Sequence, residues 1–302
     1  MAKSVLVTGA TGFIGSRLVD ALINKEYDVT SLIREGKKGN SKSNIIYGDL
    51  TDEKIDFKDL KFDCVFHLAS HTPLEKNKKI LEKVNLEGTK KLFDEIKNIT
   101  NSIIYISGLG VYGEPGDKII NEEQKYNPNT NFVKIRLDAE KYLIDNSLKN
   151  DIDFAVVHFG DVYGPGGWFN EMLVKRLQKN TFRMPAGGDY YKGFVHVDDA
   201  VGSMIAVLEQ KSFGESFIVA DSQPVTFKEF SNFTADQIGA KHPGSVPTFL
   251  AKAVLGGDLI KLLTTSMKVS NEKISKIYQF KYPDYKNGIT QVISELKESN
   301  KI

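Results

Sequence analysis

A glycine-rich break between an apolar run and an amphipathic run constrains this chain more than any other stretch. Residues 3–8 read KSVLVT, apolar and rich in β-branched side chains. Gly9-Ala10-Thr11-Gly12-Phe13-Ile14-Gly15 follows, and residues 16–24, SRLVDALIN, resume with apolar residues at helical spacing. The order is strand, tight turn, helix. Gly9 permits the turn, Gly12 lets a pyrophosphate approach the backbone, and Gly15 lets the helix pack against the strand. The helix N-terminus then offers N–H groups and a favourable dipole to phosphates. The stretch reads as a dinucleotide-binding turn that Thr11, Phe13 and Ile14 share with the three glycines.

The pattern continues as strands at 27–33, 44–47, 63–68, 102–107 and 153–159, separated by helices at 74–97 and 130–148. Strands alternating with helices predict an α/β fold, a doubly wound parallel sheet of Rossmann type, with ligands beyond the C-terminal strand ends. After residue 160 the pattern becomes irregular. Helices are expected at 168–178, 200–209, 227–238, 248–263, 271–278 and 289–297, with one more strand at 216–219. The expected organisation is a dinucleotide-binding domain over 1–160, with 193–220 returning to it. A smaller, mostly helical substrate lobe takes 161–192 and 221–302.

Lysine and arginine number 40 against 39 acids, without a long basic run, which argues against nucleic acid as a partner. No apolar run reaches the length of a bilayer span, and no signal peptide precedes the first strand, so a cytoplasmic chain without a membrane partner is expected. The single cysteine, Cys64, lies in an apolar strand and reads as core filler. The five histidines have no zinc-binding spacing, so no metal is expected.

The strand ends carry the candidate chemistry. Residues 31–34 read Ser-Leu-Ile-Arg, without an acid to take a ribose 2′-hydroxyl. Arg34 has the fork geometry for a 2′-phosphate, so NADP is expected ahead of NAD. Asp49 and Leu50 follow the third strand and face the adenine side. Leu68 and Ala69 end the fourth, Ser107 the fifth and Phe159 the sixth. His67 reads as a core histidine, and His71 beyond the strand end could reach a substrate. Trp168, Phe169, Arg183, Tyr190, Tyr191 and Lys192 mix aromatic faces with cations and form a candidate wall for a sugar or phosphate group.

These motifs carry a resemblance along nearly the whole chain. The glycine turn, Gly48-Asp49-Leu50, His67-Leu68-Ala69, Asn85-Leu86-Glu87-Gly88-Thr89, Val111-Tyr112-Gly113, Val162-Tyr163-Gly164-Pro165-Gly166 and Phe194-Val195-His196-Val197-Asp198-Asp199 are similar to landmarks of the extended, including atypical, short-chain dehydrogenases/reductases of the NAD-dependent epimerase/dehydratase superfamily. The tail from Pro247 resembles reductase and 3β-hydroxysteroid dehydrogenase-like branches as much as sugar epimerases. The resemblance implies hydride exchange with a nicotinamide, a Ser or Thr with a Tyr on the substrate oxygen, and a Lys four residues after the Tyr. It also implies a homodimer through helices 74–97 and 130–149.

The chain departs from that pattern at all three catalytic places. Counting from Ala139-Glu140 and from Val111 puts Phe132 at the Tyr position, Arg136 at the Lys position and Gly108 at the Ser/Thr position. Arg136 can still hold a ribose hydroxyl, but Phe132 has no acidic proton. Substitute acids are His71, Tyr112, His158, Tyr163 and Tyr191. The readings are an NADP-preferring oxidoreductase acting on a hydroxyl/ketone of a small or sugar-like substrate, a non-catalytic dinucleotide-binding sensor or scaffold, or a nucleotide-sugar epimerase/dehydratase with an unusual acid/base.

Overall fold

The computed structural model describes residues 3–302. Seven strands form one parallel sheet: β1 (Ser4–Thr8), β2 (Asp28–Ile33), β3 (Asn44–Tyr47), β4 (Cys64–His67), β5 (Ser102–Gly108), β6 (Asp153–Phe159) and β7 (Glu215–Val219). Their order is β7-β6-β5-β4-β1-β2-β3. β1 therefore lies between β2 and β4, with Thr8 in register with Leu32 on one side and His67 on the other. This is where the strand order reverses, and a crevice opens at such a point beyond the carboxyl ends of the strands.

The inner strands are near-continuous apolar runs because helices cover both faces of a parallel sheet. Val5, Leu6, Val7, Val65 and Phe66 have no accessible surface. Helix α1 (Phe13–Asn24) buries Gly15, Leu18, Val19 and Leu22, one stripe at i, i+3, i+4 and i+7. The run expected to be helical over 74–97 is α2 (Lys78–Leu81), a π-helical stretch Glu82–Glu87, and α3 (Gly88–Ile96). Residues 74–77 stay outside it because Asn77 caps the start, its Oδ1 accepting from Lys79 N at 3.0 Å. Helix α4 (Asn131–Lys149) completes the packing against this sheet with Val133, Ile135, Leu137, Ala139 and Leu143 buried.

The chain divides into two compact units. One holds residues up to Gly108 with Asn131–His158 and Val201–Phe217; the other holds Leu109–Thr130, Phe159–Ala200 and Ile218–Ile302. Residues 109–130 thus go with the second unit. The core of the first unit gathers Leu6, Leu32, Val65, Leu92, Phe93, Ile103 and Leu143. The core of the second is aromatic. Phe194 and Phe230 stack with centroids 3.8 Å apart, and Tyr163 and Phe169 pack around them with Ile289, Val292 and Leu296.

Three helices of the second unit differ from the sequence expectation for local reasons. The run over 248–263 is two helices, Thr248–Leu255 and Gly257–Thr264, because Gly256 turns at φ +92°. The last helix is Tyr285–Glu298, four residues earlier than expected, because Asp284 caps it by accepting from Lys286 N and Asn287 N. The helix expected over 271–278 is a single turn, Glu272–Ser275. Among the described residues no helix is long and apolar enough to cross a membrane.

Candidate functional site

The first unit brings the sequence-picked residues to the carboxyl edge of its sheet. β1 ends at Thr8, and Gly9 turns at φ +69° with its carbonyl accepting from Gly12 N at 2.9 Å. A Cβ on Gly9 would lie 2.8 Å from Ala69 N, and one on Gly15 would lie 2.1 Å from Gly9 O. Both positions therefore exclude every other residue. A Cβ on Gly12 would meet only Gly9 O, at 3.1 Å, and Gly12 and Thr11 are exposed. The closed sides of this turn hold strand and helix together, and its open side leaves room at the N-terminus of α1. That helix has no acid in its first turn, so its field there is uncompensated and suits an anion.

A hydrogen-bond chain fixes the turn against β4. Thr8 Oγ1 accepts from Leu68 N and Ala69 N, both at 3.1 Å, and lies 2.8 Å from His67 Nδ1. His67 Nε2 lies 2.9 Å from Thr89 Oγ1, which itself donates to Asn85 O at 2.9 Å. The Thr89 proton is thus already committed, so His67 must donate through Nε2 and accept at Nδ1 from the Thr8 hydroxyl. Burial, with the charge of Arg136 adding to it, pushes the His67 pKa down to about 3, consistent with this neutral tautomer. Asn85 continues the chain, its Oδ1 accepting from His71 N at 2.7 Å and its Nδ2 donating to His71 O at 3.1 Å. His71 is half-buried just beyond β4. The sequence reading missed Thr8, Asn85 and Thr89 as partners. The signal available was the i, i+4 spacing of Asn85 and Thr89, which puts both on one helix face.

Arg136, on α4, donates through one terminal nitrogen to Ser70 Oγ at 2.9 Å and through the other to Ile106 O. It thereby ties the ends of β4 and β5. Its guanidinium carbon stands 5.6 Å from the Tyr105 ring centroid and 6.0 Å from that of Phe132. Ser107 Oγ beside it is buried and has no hydrogen-bond partner among the described residues. Gly108 ends β5.

On the other side of β1, Asp49 follows β3, whose Tyr47 is in register with Ile33 of β2. Burial pushes the Asp49 carboxyl up. Hydrogen bonds from Thr51 N and Oγ1 to its Oδ1, with the charges of Arg34 and His71, outweigh that and hold it below its ordinary value. Leu50 is buried, close enough to the backbone of α3 that a Cβ on Gly88 would come within 2.8 Å of its own Cβ.

The remaining candidates lie elsewhere. His158 is buried in the first unit with Nε2 3.2 Å from each carboxylate oxygen of Glu140. In the second unit Tyr112 is buried against Tyr126, and Tyr163 sits in the aromatic core with its hydroxyl unpartnered. Burial, then the charges of Asp221, Asp199 and Asp284, push the Tyr163 hydroxyl well up. Phe159 is buried at the end of β6. Trp168 donates to Val162 O at 2.8 Å, and Phe169 is fully buried. Arg183 turns to its own segment, donating to Asn180 O and Phe182 O. Tyr190 stacks on Phe227, Lys268 Nζ stands 4.3 Å over the Tyr191 ring, and Lys192 pairs with Asp161 at 3.2 Å. The core thus claims Trp168, Phe169 and Tyr190. Cys64 is buried, and burial pushes its thiol up to about 12.

Residues 5–220 match the model of the NAD dependent epimerase/dehydratase family. The chain belongs to that family. Among curated proteins, a 3-diazoavenalumate denitrifying reductase of a Streptomyces species is 25% identical over 94% of this chain and 98% of its own length. Among solved structures of the fold, UDP-glucose 4-epimerase of Thermotoga maritima, bound to UDP-glucose, has a TM-score of 0.83 at 20% identity, covering 98% of this chain and 99% of that one. The dTDP-glucose 4,6-dehydratase of Bacillus anthracis, in complex with NAD, has a TM-score of 0.81 at 18% identity, covering 99% and 98%.

The family corrects the cofactor expectation. Most of the relatives it brings together hold NAD, as the Bacillus anthracis dehydratase does, although a human epimerase family protein of the same fold was solved with NADPH, and the preference for NADP drawn from Arg34 is not borne out. The structure supplies the physical reason. The sequence argument looked for an acid only at the end of β2, whereas Asp49, at the end of the neighbouring β3, lies in the field of Arg34. That negative charge weakens the pull of Arg34 on a doubly charged phosphate.

Proposed function

We propose that the carboxyl edge of the first unit holds NAD(H), and that the chain exchanges a hydride with a hydroxyl or carbonyl carbon of a sugar-like substrate. The observation that carries the reading is the turn at Gly9–Gly15, closed to any side chain at Gly9 and Gly15 and open at Gly12. The unpartnered, buried Ser107 hydroxyl at the end of β5 fits the same group, since it supplies a hydrogen bond the protein leaves unused. In this reading the N–H groups of residues 13–15 hold the pyrophosphate. Asp49 takes the adenine side, Leu68, Ala69 and Ser107 line the path of the ribose and nicotinamide, and Arg136 presents a permanent cation near a ribose hydroxyl. The nicotinamide, when bound, supplies or accepts the hydride. The sugar-like substrate class is supported by the UDP-glucose and dTDP-glucose names of relatives.

Phe132 and Gly108 bring no O–H to the places the family resemblance assigns to a proton donor. The proton of a hydroxyl substrate then passes to water or to a group of the substrate itself. This departure favours a second reading, a binder that holds the dinucleotide without turning substrate over. Incubating the protein with NAD and UDP-glucose, or with NAD and dTDP-glucose, separates the two. Conversion of the sugar or reduction of the nicotinamide supports the enzyme; saturable dinucleotide binding without either supports the binder.

A further inference from the structure

Among the large apolar side chains of the described residues, Val254 and Phe249 stand out as the most exposed, at 73% and 70%. Both belong to the helix Thr248–Leu255. At 3.6 residues per turn, Phe249, Ala253, Leu250 and Val254 fall on one arc of about 140°. All four are exposed, and Ala251 on the reverse side is buried. The next helix, Gly257–Thr264, buries Leu259 and Ile260 and leaves Leu263 37% exposed. Gly256 at φ +92° joins the two. A helix on an ordinary water-facing surface turns its polar side outward; the first of this pair turns apolar residues outward.

The segment that carries the arc is net basic. Residues 241–268 hold Lys241, Lys252, Lys261 and Lys268 against the single acid Asp258, in a chain whose charges otherwise nearly cancel. Lys252 and Lys261 are exposed on the two helices themselves. Ile119, 61% exposed, is in register with Lys268 and adds an apolar side chain beside that lysine.

We propose that this helix pair rests in the plane of an anionic lipid surface. The apolar arc enters the headgroup boundary, and the lysines meet the lipid phosphates. Each helix has eight residues, far short of a bilayer span, so the contact is in-plane and reversible. The sequence expectation of no membrane partner rested on the absence of a spanning segment, which has no bearing on such a contact. A second copy of the chain is a poorer occupant, because a two-fold contact would face lysines with lysines. The proposal is independent of the dinucleotide site.

The test is sedimentation of the full chain with vesicles of phosphatidylcholine alone and with phosphatidylglycerol added. Binding is expected only with the anionic lipid, and salt releases it. Lys252→Gln and Lys261→Gln each weaken it at least about fivefold. Phe249→Ser with Val254→Ser abolishes it while the thermal unfolding midpoint stays unchanged. The proposal is overturned by absence of binding to anionic vesicles, or by binding that survives these substitutions. Self-association abolished by Phe249→Ser with Val254→Ser, without lipid binding, would instead assign the face to a second copy.

Discussion

Thr8 donates its hydroxyl proton to His67 Nδ1 across 2.8 Å, and both side chains are buried. The bond joins the strand that enters the glycine turn to the strand whose next two residues, Leu68 and Ala69, give their N–H groups to the same Thr8 oxygen. Replacing Thr8 by Val leaves those two N–H groups and the His67 lone pair without their partner. The expected cost is about 2–4 kcal/mol of stability, read from urea unfolding.

The same histidine sets a pH dependence. Burial and the Arg136 charge push His67 down to about 3 in the folded protein, against about 6.5 in the unfolded chain. The unfolded state therefore binds the proton more readily. The stability held by neutral His67 is complete above about pH 6.5 and is lost as pH falls towards 3. By pH 5 the loss amounts to about 2 kcal/mol. Unfolding of the wild type and of His67→Asn between pH 8 and pH 5 checks this. The variant should lack that part of the slope, and an equal slope in both would contradict the account.

Gly12 and Gly15 should respond differently to the same methyl group. In Gly15→Ala the new Cβ meets Gly9 O at 2.1 Å, so the helix cannot seat against the turn. Stability should fall by about 3 kcal/mol or more, and dinucleotide binding with it. In Gly12→Ala the only neighbour is Gly9 O at 3.1 Å, so the fold should hold within about 1 kcal/mol. Binding should still weaken at least about tenfold, because the methyl group occupies the space of the pyrophosphate. Melting curves and NADH titrations of the two variants separate the effects.

The glycine turn and the six strands expected up to residue 159 were legible because a parallel sheet needs short apolar runs and a phosphate turn needs glycine. The hydrogen-bond chain from Thr8 to His71 was not, because it joins residues 59 and 22 positions apart that only the folded sheet brings together. The same limit misled the reading of Arg34. Both strand ends were visible in the sequence, but not that β2 and β3 pair side by side and bring the Asp49 carboxylate into the field of Arg34. The structure packs part of the expected aromatic wall into a core, for another reason. Composition marks Trp168, Phe169 and Tyr190 as able to bind a sugar, and equally as able to fill a core. Likewise the break at Gly256 is a single residue in an otherwise helical pattern, and its φ cannot be read from the letters.

Phe132→Tyr puts a phenol close to the Arg136 guanidinium, which now stands 6.0 Å from the Phe132 centroid. A cation at that distance lowers a phenol pKa and equips it for proton transfer. If the chain is an enzyme of the proposed kind, hydride exchange should rise by about 10–100-fold and acquire a limb in its pH profile that the wild type lacks. Rates measured across pH for the two proteins decide it.

The second unit offers a test of packing alone. The Tyr163 hydroxyl is buried without a partner, so Tyr163→Phe should be neutral or stabilise the protein by up to about 1 kcal/mol. Gly288→Ala would place a Cβ 2.0 Å from that hydroxyl and should cost about 1–3 kcal/mol. Combined with Tyr163→Phe, part of this cost should return, since the oxygen nearest the new methyl group is gone. Urea unfolding of the single and double variants measures the coupling.

The central claim is that the carboxyl edge of the first unit binds NAD(H) through the glycine turn. Titrating the protein with NADH, following nicotinamide fluorescence, tests it most directly. The account predicts saturation at one NADH per chain, displacement by NAD, and at least a tenfold weaker curve for Gly12→Ala at unchanged melting temperature. No saturable signal from the folded wild type, or a curve that Gly12→Ala leaves unmoved, would contradict it.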